Sequence, residues 1–348
     1  TASNAGAAYV FRFDGTEWFE EAYLKAHNSD SYDIFGRSVD IDSDTIVVGA
    51  PGEDSDSSSV SSGPSGPTDN NGNGRGAVYV FGYDGSDWSQ QAYLKGSLLI
   101  DQSDFGAAVS IQGDRIAVGA PGHESSEGAV FTFIRSNGTW EEEQVLQAQN
   151  ELAGSMFGSS IDLNEKYLVV GAPEEASTET GVFQGTSVSA DTSGSEVGAV
   201  YVYSLDNGSW VQDAYIKAPF VSDGYEFGVS LAINQSLLIV GSEGEESAET
   251  SIVEGSAAYS NDMSSPNSGA AYVYERIASG WVQRSYLKAP NSGTWDYFAR
   301  SVALSGESLM VAAPGEDSNS TSIENGGTIN TANDLGGSSG AGYFFTFE

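Results

Sequence analysis

The chain has 348 residues, 39% of them hydrophobic, with 16 Phe, 17 Tyr and 6 Trp, enough material for one large β domain or two smaller ones. Forty-nine acidic against thirteen basic residues give a formal net charge of −36. That charge argues against nucleic acid and anionic membranes as partners, because phosphates need clustered Lys and Arg. No apolar run reaches the roughly 18 residues of a membrane span, and the absence of cysteine excludes disulfides and thiolate metal sites.

In chain order, the opening TASNAGAAYVFRF lacks the basic and apolar segments of a signal peptide and is compatible with a mature terminus. It contains an apolar run, GAAYVF from Gly6, followed by Trp18 and AYLKA. A four-part pattern then begins: Phe35-Gly36, VVGAP from Val47, GAVYVF from Gly76, and Trp88 with AYLKG. It returns as Phe105-Gly106, AVGAP from Ala117, GAVFTF from Gly128 and Trp140. The next copies are Phe157-Gly158, Val169, Gly198 and Trp210, then Phe227-Gly228, Ile239, Gly269 and Trp281. The last is Phe298-Ala299, VAAP from Val311 and GAGYFF from Gly340. The step from Trp88 to Trp140 is the short one.

Runs rich in Val, Ile, Tyr and Phe, split by Gly, Asp and Ser, read as four strands per unit. DGTEW, DGSDW, SNGTW and DNGSW place Asn-Gly or Asp-Gly, which tolerate positive φ, at the tight hairpins. No segment shows helical periodicity over a useful length. Four-stranded units repeated radially predict an all-β fold, a β-propeller of four-stranded antiparallel blades. Five units predict five blades, with six or seven by assembly as the alternative. One propeller domain is expected over 1–348, with units 36–95, 106–147, 158–217, 228–288 and 299–348, the last closed with 1–25.

The order Phe-Gly, Gly-Ala-Pro, Gly-Ala-Val-Tyr-Val resembles the FG-GAP repeat of integrin α-subunit propellers and of bacterial and archaeal surface proteins, over essentially the whole chain. The resemblance implies that FGxSV is the innermost strand, VVGAP the second, GAVYVF the third and WxxxAYLKA the outer one. It also implies an extracellular or cell-surface protein. An extra third-strand copy, GAAYVF against GAGYFF, leaves one terminal strand without a place in the closing blade. Pairing of that strand with a neighbouring subunit is one expectation, and a displaced terminus the other.

Three groups of residues are candidate sites. Asp40, Asp42 and Asp44 alternate between the first two strands of the first unit and resemble an integrin-type calcium loop. Thr45 stands where that loop needs glycine, and no terminal carboxylate follows, so a solvated strand edge competes. Acids also recur after the Gly-Ala-Pro element: Glu53 and Asp54, Glu175, Glu245 and Glu246, Glu316 and Asp317, with His123-Glu124 in the short unit. A further aspartate returns just before the third strand: Asp69, Asp191, Asp262 and Asp334. Together these acids suggest long loops closed around calcium through oxygen ligands. Copied, solvated acidic loops are the competing reading.

The third group is aromatic. One tryptophan per unit beside the outer strand reads as blade packing rather than a carbohydrate platform. Tyr32, Tyr225 and Trp295 precede the innermost strands and are candidates for a ligand surface or for buried loop anchors. His27 and His123 fall in no nucleophile or metal motif. The functional expectation is therefore a non-catalytic extracellular propeller that binds a protein or glycan through its loops, or self-assembles. A filament subunit and a polysaccharide-active enzyme are the alternatives.

Overall fold

The structure is a computed structural model that describes residues 2–150, 152–255, 262–320, 323 and 337–347. It is all-β, a five-bladed β-propeller fold, and Cα packing divides the chain into two compact units, Thr1–Glu165 and Lys166–Glu348.

The first unit begins with a two-stranded ribbon, Ala8–Phe13 paired with Trp18–Leu24. The first blade follows in the order Ser38–Asp42, Thr45–Ala50, Ala77–Tyr83, Trp88–Leu94, so the inner, second, third and outer strands are those the repeat predicts. A two-residue strand that the repeat does not announce, Ser61–Ser62, adds to the outer edge. The second blade runs Ala108–Gln112, Arg115–Ala120, Ala129–Ser136, Thr139–Leu146. The inner-strand segment of the third blade, Ser160–Leu163, ends this unit.

The second unit carries the remaining strands of the third blade, Tyr167–Ala172, Ala199–Asp206 and Ser209–Lys217, edged by Gly181–Gln184. The fourth blade is Ser230–Ile233, Leu237–Ser242, Ala270–Ile277 and Gly280–Leu287, edged by Val253–Glu254. The last has three strands among the described residues, Ser301–Ser305, Ser308–Ala313 and Ala341–Thr346. Both terminal strands thus have a partner in their own sheet: Ala8–Phe13 pairs with Trp18–Leu24, and Ala341–Thr346 with Ser308–Ala313.

In the first two blades the second and third strands alternate apolar residues toward both faces, so these blades are buried on both sides. Every third–outer pair carries one register shift, for example between Val80 and Phe81 and between Val202 and Tyr203. Such bulges sharpen the twist of a blade. Adjacent blades are stitched by short parallel bridges, Gly6 to Phe35, Gly76 to Phe105 and Gly128 to Phe157 in the first unit, Gly198 to Phe227 in the second. The glycine is required there: Gly76 has φ +81, and a Cβ would lie 2.0 Å from the Phe105 carbonyl oxygen.

Candidate functional site

The repeated acid after Gly-Ala-Pro is a buried ion-pair partner. Lys95, just past the outer strand, donates from Nζ to Glu53 Oε2 at 2.7 Å and to the Gly76 carbonyl at 2.6 Å. The Glu53 carboxylate also accepts from Asn28 Nδ2 at 2.9 Å and from the Ser55 N–H at 3.1 Å. In the third blade Lys217 holds Glu175 Oε2 and the Gly198 carbonyl, both at 2.5 Å, and the Tyr215 hydroxyl donates to Glu175 Oε1 at 3.0 Å. In the fourth, Lys288 and the Tyr286 hydroxyl hold Glu245 at 2.7 and 3.0 Å. Burial lowers the pKa of all three lysines, opposed by the attraction of their glutamates.

Glu316 of the last blade is equally buried and accepts from Asn291 Nδ2 at 2.7 Å, while the Tyr343 hydroxyl donates to Asn291 Oδ1 at 2.7 Å. Tyr79 and Asn28 make the same relay to Glu53 in the first blade. The second blade replaces both members of the ion pair: His123 takes the glutamate's place and Gln147 the lysine's. His123 is buried, with burial lowering its pKa, and its Nδ1 lies 3.2 Å from Ser103 Oγ.

The distant aspartates close the long loops through direct hydrogen bonds. Asp69 accepts from Ser55 Oγ and the Asp56 N–H, each at 3.1 Å. Asp191 accepts from the Thr178 N–H and Oγ1 at 2.8 and 2.7 Å and from Ser193. Asp262 accepts from the Ala248 N–H at 3.4 Å and from the Ser264 N–H at 3.0 Å. Hydrogen bonds to the charged form hold the carboxyls of Asp69 and Asp191 below the ordinary range. Asp54 Oδ1 and Asp317 Oδ1 accept from the N–H groups of Gly74 and Ser338 at the far legs of their loops, and the Glu246 carbonyl accepts from Ser265. Asp334 lies outside the described residues. Among the described residues, no three of His, Asp and Glu converge in a geometry that would hold a metal ion.

Asp40 and Asp42 reach across to the neighbouring inner hairpin. Asp40 Oδ2 accepts from the Ile111 N–H at 2.7 Å, and Asp42 Oδ2 from the Gly113 N–H at 2.6 Å. Burial raises the pKa of Asp40, against these bonds. The fourth blade repeats the device with Asn234, which donates to the Gly306 carbonyl at 2.8 Å. Asp44 contributes its backbone carbonyl to the Tyr83 N–H and lines a concavity of about 300 Å³ with Asp42, Tyr83, Gln91 and Arg135. Arg135 is already engaged by Asp114 at 2.7 Å and lies 5.0 Å from the Trp140 ring centre.

Trp140, Trp210 and Trp281 are buried packing residues, whereas Trp18 is exposed. Tyr225 is buried, a loop anchor. Tyr32 and Trp295 are 62% and 55% exposed. Both occupy the third position before the repeat phenylalanine, Phe35 or Phe298, with positive φ, +72 and +68, where the second blade places Gln102 (φ +64) and the third and fourth Gly154 and Gly224. The conformation is imposed by a hydrogen bond to the preceding blade, from the Tyr32 N–H to the Ser3 carbonyl and from the Trp295 N–H to the Pro266 carbonyl.

Sequence reasoning missed the lysines of the ion pairs. Their signal was available: a lysine ending an otherwise apolar strand, replaced together with the glutamate in one unit. It also missed Glu226, Glu243 and Arg300. In the fourth blade Glu243 replaces the proline of Gly-Ala-Pro, is buried, and pairs with Arg300. Burial, with a hydrogen bond to Glu243, pushes Glu226 up to about 7.

Four-stranded blades stitched by Phe-Gly bridges, with a structural ion pair at the Gly-Ala-Pro turn, define a β-propeller of the repeat-built kind. The FG-GAP repeat profile matches residues 18–81, 88–133, 140–203 and 281–327, well over half of the chain, which therefore belongs to the FG-GAP repeat family. The longest unmatched stretch, 204–280, contains Glu243. No curated protein matches the chain.

Proposed function

We propose that this protein is a non-catalytic binding and structural propeller of a microbial surface that contacts a protein or glycan ligand through loop aromatics. The observation that carries this reading is the placement of Tyr32 and Trp295. A bulky residue in the left-handed region costs roughly 1–2 kcal/mol. Gly154 and Gly224 show that glycine serves at the same position. The chain nevertheless spends large, exposed aromatic rings there, suited to stacking on sugar rings or to protein contact. The repeated carboxylates are engaged with lysines and loop backbones, which favours a scaffold over the acid–base pair of a glycoside hydrolase.

Glycan and surface-protein arrays test the proposal, with Tyr32→Gly and Trp295→Gly as variants. Each should leave the melting temperature unchanged or higher, because glycine relieves the strained φ, and should weaken ligand retention at least tenfold. Undiminished binding by both variants would remove the reading.

A further inference from the structure

We propose that the junction of the first and second blades holds a binding site for a hexuronic acid, its carboxylate seated between Arg135 and the indole N–H of Trp140. The site shares no residue with the ligand-binding reading.

The bulge in each third–outer pair leaves one residue of the outer strand without a cross-strand partner: Glu21 in the ribbon, Gln91 in the first blade and Asp213 in the third. Where that residue is an acid, it receives the tryptophan of the following blade. Trp88 Nε1 donates to Glu21 Oε2 at 2.9 Å, and Trp281 Nε1 to Asp213 Oδ2 at 3.0 Å. An arginine completes each arrangement: Arg12 Nη2 donates to Glu21 Oε2 at 3.0 Å, and Arg276 Nε lies 3.3 Å from Asp213 Oδ2. The molecule thus shows twice how a carboxylate is held at this place.

Between the first and second blades the tryptophan and the arginine remain, and the acid is replaced. Arg135 is the cross-strand partner of Trp140 as Arg276 is of Trp281, and Gln91 stands at the bulge where the third blade has Asp213. The Gln91 amide is laid over Gly82, where a Cβ would stand 1.8 Å from its Nε2. Trp140 is 3% exposed, and its Nε1 has no acceptor among the described residues. A buried donor left in this way favours a ligand that supplies an oxygen. Arg135 uses Nε on Asp114 at 2.7 Å and Nη1 on Thr45 Oγ1 at 3.3 Å, which leaves Nη2.

The junction also has room. Between the third and fourth blades the space is taken by Gln184, whose Nε2 donates to the Trp281 carbonyl at 2.8 Å and whose Oε1 accepts from the Trp281 N–H at 3.2 Å. Gly63 and Gly185 each donate to the carbonyl of the bulge residue at 2.7 Å, so Ser62 stands where Gln184 does. Beside that shorter side chain lies a cavity of about 670 Å³ lined by Gly63, Gln90, Gln91, Asp114, Arg135 and Asn137. The Gln90 Nε2 atom is buried and likewise has no acceptor among the described residues. The unused buried groups are therefore donors, which selects an oxygen-rich, anionic ligand. The rest of the wall is amide and carboxylate rather than apolar, which suits hydroxyls. A hexuronic acid meets both demands, with its carboxylate on Arg135 and Trp140 and its hydroxyls on Gln90, Asn137 and Asp114. The net charge of −36 and the nearby Asp114 oppose an anion, so screening salt should strengthen binding.

The test titrates the 348-residue chain with sodium glucuronate and, separately, with glucose, at about 1 M salt, where the Debye length falls to ~3 Å. Calorimetry and the indole N–H signals of protein labelled with 15N-tryptophan are the readouts. Glucuronate should bind in the millimolar range and move one indole signal, and glucose should do neither. Gln91→Glu restores the acid of the other junctions. It should move the same signal without ligand and weaken glucuronate binding at least tenfold. Arg135→Gln should weaken binding to the same degree while keeping the parent circular dichroism. Tyr32→Gly should bind glucuronate as the parent does, which separates this site from the loop aromatics. Absence of both heat and an indole shift with glucuronate would overturn the proposal. So would an equal response to glucose, or a Gln91→Glu variant that binds like the parent.

Discussion

Lys217 Nζ lies 2.5 Å from Glu175 Oε2, and neither side chain has any solvent exposure. Glu175 stands in the loop after the second strand of the third blade and Lys217 ends the outer strand, so the pair locks the Gly-Ala-Pro turn to the end of the outer strand. Removing one partner leaves a buried charge uncompensated, which typically costs about 3–5 kcal/mol. Lys217→Met is therefore expected to lower stability by that order in urea unfolding, with Glu175→Gln/Lys217→Met recovering most of it. The second blade is the natural precedent, since His123 and Gln147 replace both members at once. A double variant no better than the single one would show that the pair is not the unit of stability.

The loop aspartates lead to a prediction about ions. Asp69, Asp191 and Asp262 already clasp their loops through N–H and hydroxyl donors 13 or 14 residues earlier in the chain. At a net charge of −36, salt should raise the melting temperature by screening, and calcium and magnesium at matched ionic strength should do so equally. A shift specific to calcium would show that the ion finds a ligand set in these loops. Asp191→Ala should speed amide exchange over residues 177–193 while leaving the blade strands protected.

The strands were legible because each is a local apolar run bounded by turn residues, and five copies average out the ambiguity of any one. The sites were less so. Glu53 and Lys95 lie 42 residues apart and, read singly, look like ordinary surface charges. Their burial comes from packing between strands that sequence spacing does not encode. Asp40 and Asp42 were conspicuous as a triplet with Asp44, yet their partners are backbone N–H groups of Ile111 and Gly113, which carry no sequence signal. The short edge strands Ser61–Ser62 and Val253–Glu254 are set by their docking on an outer strand rather than by composition.

Two glycines at the same repeat position should respond differently to a methyl group. Gly76 has φ +81 with the Phe105 carbonyl oxygen 2.0 Å from an added Cβ, whereas Gly340 has φ +75 and nothing nearer than 3.4 Å. Both Gly→Ala changes incur the left-handed backbone penalty of roughly 1–2 kcal/mol. Gly76→Ala must in addition push apart the bridge to Phe105, so it should unfold at clearly lower denaturant than Gly340→Ala. Equal losses in the two variants would deny the bridge its role in holding neighbouring blades together.

Glu226 makes the second unit sensitive to pH. Burial, reinforced by its hydrogen bond with Glu243, raises its pKa from 4.5 to about 7, so between those values the folded state binds a proton that the unfolded state has released. The stabilisation is fully present below the unfolded value and is lost as pH rises through about 7. Asp69 and Asp191 act in the opposite sense: their depressed values add stability above the ordinary carboxylate range, which is lost only in stronger acid. The two effects occupy separate windows. From pH 5 to 8 the parent chain should lose several degrees of melting temperature, and Glu226→Gln, which keeps a hydrogen-bond donor toward Glu243 without a titrating proton, should flatten that slope. An unchanged slope in the variant would place the titration elsewhere. Its removal, with the acid limb below pH 4 intact, would assign it to the Glu226–Glu243–Arg300 cluster.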